Sequence, residues 1–256
     1  METSDQIALL GVSYRPAPVA VREALGFQPD PAAALLKQAA ASRPGREALI
    51  LSTCNRTEFY LVAPPGSNAT GDLLSLLREV RPDAPIIHQD CHRYQLSEPA
   101  AVQHLFRVAS GLDSAIPGDA QILGQVKAAM RVAVQSGSLG VTLQQALTLA
   151  VRAGKPARTE TRFGWGAASL GAAIGELLAE RDAEAPVSEH LLQVLIIGAG
   201  EMARDIGREL AKHGGQQITF LNRTLSKAAQ LAELCGGRAL GWSSLEAALS
   251  EADVVT

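Results

Sequence analysis

The stretch Leu49 to Val62, LILSTCNRTEFYLV, predicts two strands separated by a polar break. The apolar run that opens it and the run Phe59 to Val62 are each typical of a buried strand. Between them, Ser52 to Glu58 carries no aliphatic side chain. Cys54 in such a break is placed to present a thiolate, and Arg56 can lower the pKa of that thiol. The alternative is that Cys54 is a small turn residue and Arg56 a solvated charge.

The composition indicates a globular protein with its own core. The chain has 256 residues, of which 47% are hydrophobic and 19% charged, enough for two domains. Its net charge of −3 provides no general attraction to nucleic acid, so an RNA partner needs a local basic patch. Three widely spaced cysteines favour a reducing cytoplasm over a disulfide scaffold. No apolar run approaches the ~18 residues of a membrane span, and no signal peptide is indicated.

A helix after Ser97 places His104 as a second candidate. The apolar side of this helix consists of Val102, Leu105, Phe106 and Ala109. At ~100° per residue, His104 lies about opposite that side. It is therefore either a solvated surface histidine or an acid or base that faces a cleft shared with Cys54.

Polar and basic groups continue through the first half. Gln121 and Gln125 project together from the next helix, where they either grip a polar substrate or lie on a solvated face. The stretch 152–162 carries four cations and one carboxylate, which either meet phosphates or face solvent. His88, Cys91 and His92 lack the spacing of a zinc site, so we expect no metal.

The second half begins with an unbroken apolar run, Leu191 to Ile197, as a central parallel strand requires. The G-x-G-x-x-A fingerprint follows at Gly198, Ala199, Gly200, Glu201, Met202 and Ala203. Gly198 permits the turn, Gly200 lets the backbone approach a pyrophosphate, and Ala203 lets the next helix pack close to the sheet. The helix and second strand that follow satisfy the structural context of a Rossmann fold.

The end of that second strand indicates which dinucleotide is bound. The residues there are Asn222, Arg223 and Thr224, with Lys227 close behind. A carboxylate at this point normally accepts the ribose hydroxyls of NAD, whereas two cations favour the 2′-phosphate of NADP(H). The sheet needs more strands than the sequence supplies, so we expect a chain truncated at its C-terminus.

Together these motifs resemble the glutamyl-tRNA reductase family. The matching blocks, in order, are Ser52–Glu58, His104–Ser114, Gln121–Lys127, Arg158–Thr161 and Gly198–Glu201. The resemblance implies an α/β protein with an N-terminal α+β catalytic domain over residues 1–158 and a Rossmann-type NADP-binding domain over residues 159–256. It also implies the first step of tetrapyrrole synthesis by the five-carbon route. In the reaction that the resemblance implies, Cys54 attacks the ester of glutamyl-tRNA(Glu), and NADPH reduces the resulting thioester to glutamate-1-semialdehyde.

The resemblance also assigns residues and partners. Positions matching the family's substrate-binding residues are Thr53, Asn55, Arg56, Ser114, Asp119, Ala120, Gln121 and Gln125. The planar fork of Arg56 suits the substrate carboxylate, and His104 matches a histidine important for activity. A homodimer through a C-terminal domain absent from these residues, and product transfer to glutamate-1-semialdehyde aminomutase, are implied as well.

Two other functions remain open. One is a non-catalytic relative that binds aminoacyl-tRNA or a protein partner. Asp119 and Pro156 leave room for it, because the family usually has glutamate and arginine there. The other is a small-molecule NADP-dependent dehydrogenase, which explains only the second half of the chain.

Overall fold

The chain forms two compact units, Met1–Trp165 and Gly166–Thr256. The structure is a computed structural model that describes residues 6–42, 44–64, 66–80, 92–119, 121–161, 163, 170–184, 191–214 and 216–256. Ala120, His88 and Cys91 lie outside these ranges. Among the described residues, no helix is both long and apolar enough to cross a membrane.

The first unit is a four-stranded antiparallel sheet covered by helices. Its elements are β1 (Gln6–Ser13), α1 (Val19–Leu25), α2 (Pro29–Ser42), β2 (Glu47–Ser52), β3 (Arg56–Ala63), α3 (Ala69–Val80), β4 (Tyr94–Ser97), α4 (Ala100–Ala109), α5 (Gln121–Gln135) and α6 (Val141–Thr159). The strand order is β2-β3-β1-β4. All of β3 and all but the first residue of β1 are buried, so both faces of the sheet centre are covered. The two strands predicted around Cys54 are confirmed as β2 and β3.

The second unit is a parallel sheet with helices on both faces. Its elements are α7 (Leu170–Glu184), β5 (Leu192–Ile197), α8 (Glu201–His213), β6 (Gln216–Asn222), α9 (Leu225–Cys235), β7 (Arg238–Gly241), α10 (Leu245–Glu251) and β8 (Val254–Val255). The strand order is β7-β6-β5-β8, with every pair parallel. Val194 and Ile196 pack into one cluster and Leu195 into another, as the alternation of a doubly covered strand requires. The predicted α/β class, with an α+β first half and a Rossmann-type second half, is confirmed.

The end of α4 is held by a close helix contact. Gly154 of α6 lies so near α4 that a Cβ there would be 2.6 Å from the carbonyl oxygen of Ala109. Only a residue without a side chain allows this approach. Because α4 carries His104, the contact also helps to position the candidate site.

Two helical glycines allow a matched test of this packing. We expect Gly154→Ala to lower the free energy of unfolding by about 1–3 kcal/mol, because backbone atoms must move. Gly124→Ala on α5 would place its Cβ in open space. It should raise the free energy of unfolding by roughly 0.5–1 kcal/mol, the usual cost of glycine in a helix. Chemical denaturation measures both, and a change of the same sign in both variants would contradict the packing described.

Candidate active site

Cys54 lies exposed in the turn that joins β2 to β3. The Thr53 amide donates to the carbonyl oxygen of Arg56 at 2.8 Å. The Thr53 hydroxyl accepts the amides of Asn55 at 3.2 Å and Arg56 at 3.1 Å. In a tight turn such amides have no backbone carbonyl to bond, and the threonine hydroxyl serves as their acceptor instead. The turn is therefore defined by its own residues, with the thiol at its exposed side.

Two neighbouring segments hold the same turn from outside. Arg22 on α1 donates from Nη1 to the carbonyl oxygen of Cys54 at 2.7 Å. The Tyr14 amide donates to the carbonyl oxygen of Asn55 at 2.9 Å. The Tyr14 hydroxyl donates to the carbonyl oxygen of Ser114 at 3.2 Å. The Cys54 turn, the segment after β1 and the loop after α4 thus form one hydrogen-bonded assembly.

A buried polar cluster lies next to the turn. Arg56, Glu58 and Tyr60 alternate along β3, so their side chains point to the same face of the sheet. The Arg56 side chain is only 2% exposed. Its Nη1 lies 2.8 Å from Oε1 of Glu58 and 3.1 Å from Oδ2 of Asp113. Its Nη2 donates to the Asp113 carbonyl oxygen, so the guanidinium joins β3 to the loop after α4.

The fully buried carboxylate of Glu58 is the centre of this cluster. Besides Arg56, it accepts the hydroxyl of Tyr60 at 2.7 Å and that of Tyr94 at 2.6 Å. Nε2 of His104 lies 2.8 Å from its Oε1. An ionised carboxylate can only accept, so Nε2 of His104 carries the hydrogen of this bond. Side chains from β3, β4 and α4 therefore converge on one carboxylate.

Tyr94 reaches Glu58 because Gly11 lies between them. Glu58, Gly11 and Tyr94 are direct neighbours across β3, β1 and β4. The Tyr94 ring lies over Gly11, where a Cβ would be 2.7 Å from its Cζ. Any side chain at this position would displace the ring and break its hydrogen bond.

The cluster holds fixed charges. Burial raises the pKa of Glu58, but the hydrogen bond from His104 and the charge of Arg56 outweigh it and lower that pKa to about 2. Burial lowers the pKa of Arg56, but the charge of Glu58 raises it above its ordinary value. Burial, followed by the charge of Glu58, raises the pKa of Tyr60 and Tyr94. Both tyrosines therefore act as neutral donors to an anionic acceptor.

The expectation that His104 lies opposite the core side of α4 is wrong. The buried residues of this helix are Ala101, Leu105, Val108 and Ala109. His104 flanks this face with a side chain that is 13% exposed. The error came from placing Val102 and Phe106 at the centre of the apolar side, where Ala101 and Val108 belong. A role for His104 as acid or base stays a prediction.

The loop from residue 110 to 119 carries other predicted substrate residues. Ser114 is buried, and Asp113 lies between Arg56 and the exposed Arg15, whose Nη2 is 3.6 Å away. Oδ1 of Asp119 accepts the Gln121 amide at 2.8 Å, which caps the N-terminus of α5. Gln121 is exposed and Gln125 half-buried on that helix.

The glycine loop of the second unit fits a pyrophosphate. Gly198 has φ of 122°, which side chains rarely adopt, and its amide donates to the Leu221 carbonyl oxygen at 2.8 Å. Gly200 caps α8, and a Cβ at either glycine would meet nothing within 4 Å. Ala203 is buried against the sheet. The loop therefore leaves room for phosphate oxygens beside the N-terminal amides of a helix.

The neighbouring strand ends supply a surface for an adenosine phosphate. The amide side chain of Asn222 donates to the Thr224 carbonyl oxygen at 3.0 Å. The Arg223 guanidinium carbon lies 5.3 Å from the ring centroid of Trp242, and both side chains are exposed. Lys227 lies exposed in the first turn of α9. Two cations beside a flat indole fit a phosphorylated adenosine.

The sequence prediction missed several of these partners. They are Tyr14, Arg22, Glu58, Tyr60, Tyr94, Asp113 and Trp242. Only the alternation of Arg56, Glu58 and Tyr60 along β3 was a local signal, because a strand places such residues on one face. The other contacts depend on strand order and loop paths.

Comparison with known proteins identifies the family. Residues 10–161 match the family described as glutamyl-tRNA(Glu) reductase, N-terminal domain. The chain belongs to the glutamyl-tRNA reductase family. Residues 178–256 match the shikimate / quinate 5-dehydrogenase family.

Individual members of the glutamyl-tRNA reductase family align along almost the whole chain. Glutamyl-tRNA reductase of Rubrobacter xylanophilus is 40% identical over 250 residues, and that of Acaryochloris marina 37% identical over 252. Each alignment covers 97% of this chain and 57% of the relative. The solved glutamyl-tRNA reductase of Methanopyrus kandleri is 33% identical with a TM-score of 0.60, covering 100% of this chain and 58% of that one. The chain thus spans less than two thirds of the length of these relatives.

Proposed function

We propose that this protein reduces glutamyl-tRNA(Glu) to glutamate-1-semialdehyde with NADPH, through a thioester on Cys54. The observation that carries the proposal is the exposed thiol in a turn whose backbone is held by Thr53, Arg22 and Tyr14. An exposed thiol is accessible to a substrate, and its fixed backbone suits attack on a bound ester. The same chain carries a glycine loop that fits a dinucleotide.

The proposed chemistry needs one nucleophile and three proton movements. The Cys54 thiolate attacks the ester carbonyl carbon, and the bond to the terminal ribose oxygen breaks. That oxygen leaves with a proton, and the glutamyl group stays on sulfur. NADPH, which the loop at Gly198 and Gly200 and the side chain of Arg223 would hold, would supply a hydride to the thioester carbonyl carbon. The C–S bond then breaks, which releases the aldehyde and leaves a thiolate, and a proton from solvent restores the thiol.

His104 is the proposed acid and base. With the Nε2 hydrogen donated to Glu58, Nδ1 is the ring nitrogen left to accept and return a proton. A carboxylate that orients an imidazole in this way is a common support for proton transfer. We propose that Nδ1 accepts the thiol proton and returns it to the leaving ribose oxygen.

Arg56 was predicted to hold the substrate carboxylate. Its guanidinium is enclosed by Glu58 and Asp113. This geometry favours a role in holding the loop that carries Ser114, and a substrate contact requires one of these bonds to open. The predicted dimer and the transfer of product to an aminomutase rest on the family resemblance alone.

The thioester can be tested directly. Without NADPH, incubation with glutamyl-tRNA labelled in the glutamyl group should leave label on the protein, because no hydride is available to release it. Hydroxylamine should remove the label, and Cys54→Ala should acquire none. Cys235→Ala is the matched control, since Cys235 is buried in the second unit and should leave labelling unchanged. Label that stays on RNA in every protein would contradict the mechanism and favour a non-catalytic relative.

The cofactor preference depends on Arg223. Loss of a charge-assisted contact to phosphate costs about 1.5–3 kcal/mol, so Arg223→Met should weaken NADPH binding roughly 10- to 100-fold and leave NADH binding unchanged. Arg238→Met is the control, because Arg238 is exposed at the start of β7, whereas Trp242 follows the end of that strand.

The binding assay uses the fluorescence of Trp242. Trp165 and Trp242 are the two tryptophans, so Trp165→Phe makes Trp242 the only indole. Quenching of its fluorescence by 2′,5′-ADP measures binding, and equal affinity for NADPH and NADH in the unaltered protein would contradict the assignment.

A further inference from the structure

We propose that Arg22 is a positioning residue for Cys54, which fixes the nucleophile's main chain and supplies the positive charge near its thiol. The inference rests on the proposed role of Cys54 as the acyl acceptor. It assigns to Arg22 the electrostatic role that the sequence first suggested for Arg56.

Arg22 joins two segments of backbone. Its Nη1 donates to the carbonyl oxygen of Cys54 at 2.7 Å and lies 3.5 Å from Oδ1 of Asn55. Its Nε donates to the carbonyl oxygen of Ala17 at 3.3 Å. A planar guanidinium makes such contacts in several directions at once, which a lysine ammonium on its flexible stem cannot reproduce.

The helix that carries Arg22 is itself fixed against the hairpin. Leu25 of α1 is fully buried. Just beyond α1, the Phe27 amide donates to Oγ of Ser52 at 2.9 Å, at the end of β2. The backbone of Arg22 is therefore held at a fixed distance from the Cys54 turn.

Holding the Cys54 carbonyl sets the direction of the thiol. This carbonyl and the Asn55 amide form the peptide group that follows Cys54, and that amide donates to the Thr53 hydroxyl at 3.2 Å. Before Cys54, the Thr53 amide donates to the carbonyl oxygen of Arg56 at 2.8 Å. With its flanking backbone held, Cys54 has only its χ1 torsion left to orient the sulfur. A nucleophile displaced by about 1 Å can lose 10²-fold in rate, so this restraint bears directly on catalysis.

Arg56 and Arg22 differ in whether neighbouring carboxylates offset the charge of the guanidinium. Arg56 contacts the carboxylates of Glu58 and Asp113, which offset its charge. The contacts described for Arg22 are all to neutral oxygen atoms. A cation next to a cysteine favours its thiolate, so Arg22 is the better source of this effect.

The test compares Arg22→Ala, Arg22→Lys and the control Arg78→Ala, an exposed arginine on α3. The first readout is the single-turnover rate of glutamyl transfer from tRNA to Cys54. Arg22→Ala should be roughly 100-fold slower with an unchanged KM. Arg22→Lys should be intermediate, and millimolar guanidinium should restore much of the rate in Arg22→Ala only. A purely structural role would give no rescue.

The second readout needs no substrate. Alkylation of Cys54 by iodoacetamide at neutral pH should slow by about three- to tenfold in Arg22→Ala, because a smaller fraction is thiolate. Arg22→Lys should retain most of this rate. Rates of both reactions within twofold of the unaltered protein in a folded Arg22→Ala would overturn the proposal. Absence of glutamyl transfer in the unaltered protein would instead refute the thioester mechanism, and alkylation would still decide the role of Arg22.

Discussion

The ionised carboxylate of Glu58 is the interaction on which the first unit depends. A buried charge is stable only when donors replace the water it has lost. Here Arg56, Tyr60, Tyr94 and His104 provide them, at 2.6 to 2.8 Å. Arg56 also balances the negative charge of Glu58. These donors come from β3, β4 and α4, so a single acceptor specifies how three elements meet.

Arg56 connects the Glu58 carboxylate to the loop after α4, which lies closer to the surface. The guanidinium bonds Asp113, and Tyr14 links the same loop to the Cys54 turn. Removing one partner of a buried ion pair such as Arg56 and Glu58 costs about 3–5 kcal/mol, so this pair is a stable attachment point for the loop. The exposed thiol therefore sits on a stable support. Arg56, the arginine nearest to Cys54 in sequence, holds the loop after α4, whereas Arg22, 32 residues away, contacts the backbone of Cys54 itself.

The sequence pattern predicted the strands, because a strand depends mainly on the apolar residues of its own segment. The runs on either side of Cys54 form β2 and β3, and the run before Gly198 forms β5, because strand formation follows apolar sequence. Ala203 is buried as its place in the fingerprint requires. The polar cluster was not predictable in this way. Tyr94 meets Glu58 only because β4 lies beside β1 and Gly11 leaves room between them. Trp242 faces Arg223 only because β7 lies beside β6.

The donors around Glu58 keep its carboxylate ionised inside the protein. Its pKa of about 2 lies below the 4.5 of an unperturbed glutamate. The bonds to Glu58 therefore stabilise the folded state above pH ~4.5 and lose that effect as the pH falls toward 2. The most direct measurement is carbon-13 NMR of the protein with labelled glutamate carboxyl carbons, with the Glu58 signal assigned from its absence in Glu58→Gln. We expect this signal to keep the ionised chemical shift until the pH approaches 2 or the protein unfolds. Titration of the folded protein near pH 4.5 would contradict the account.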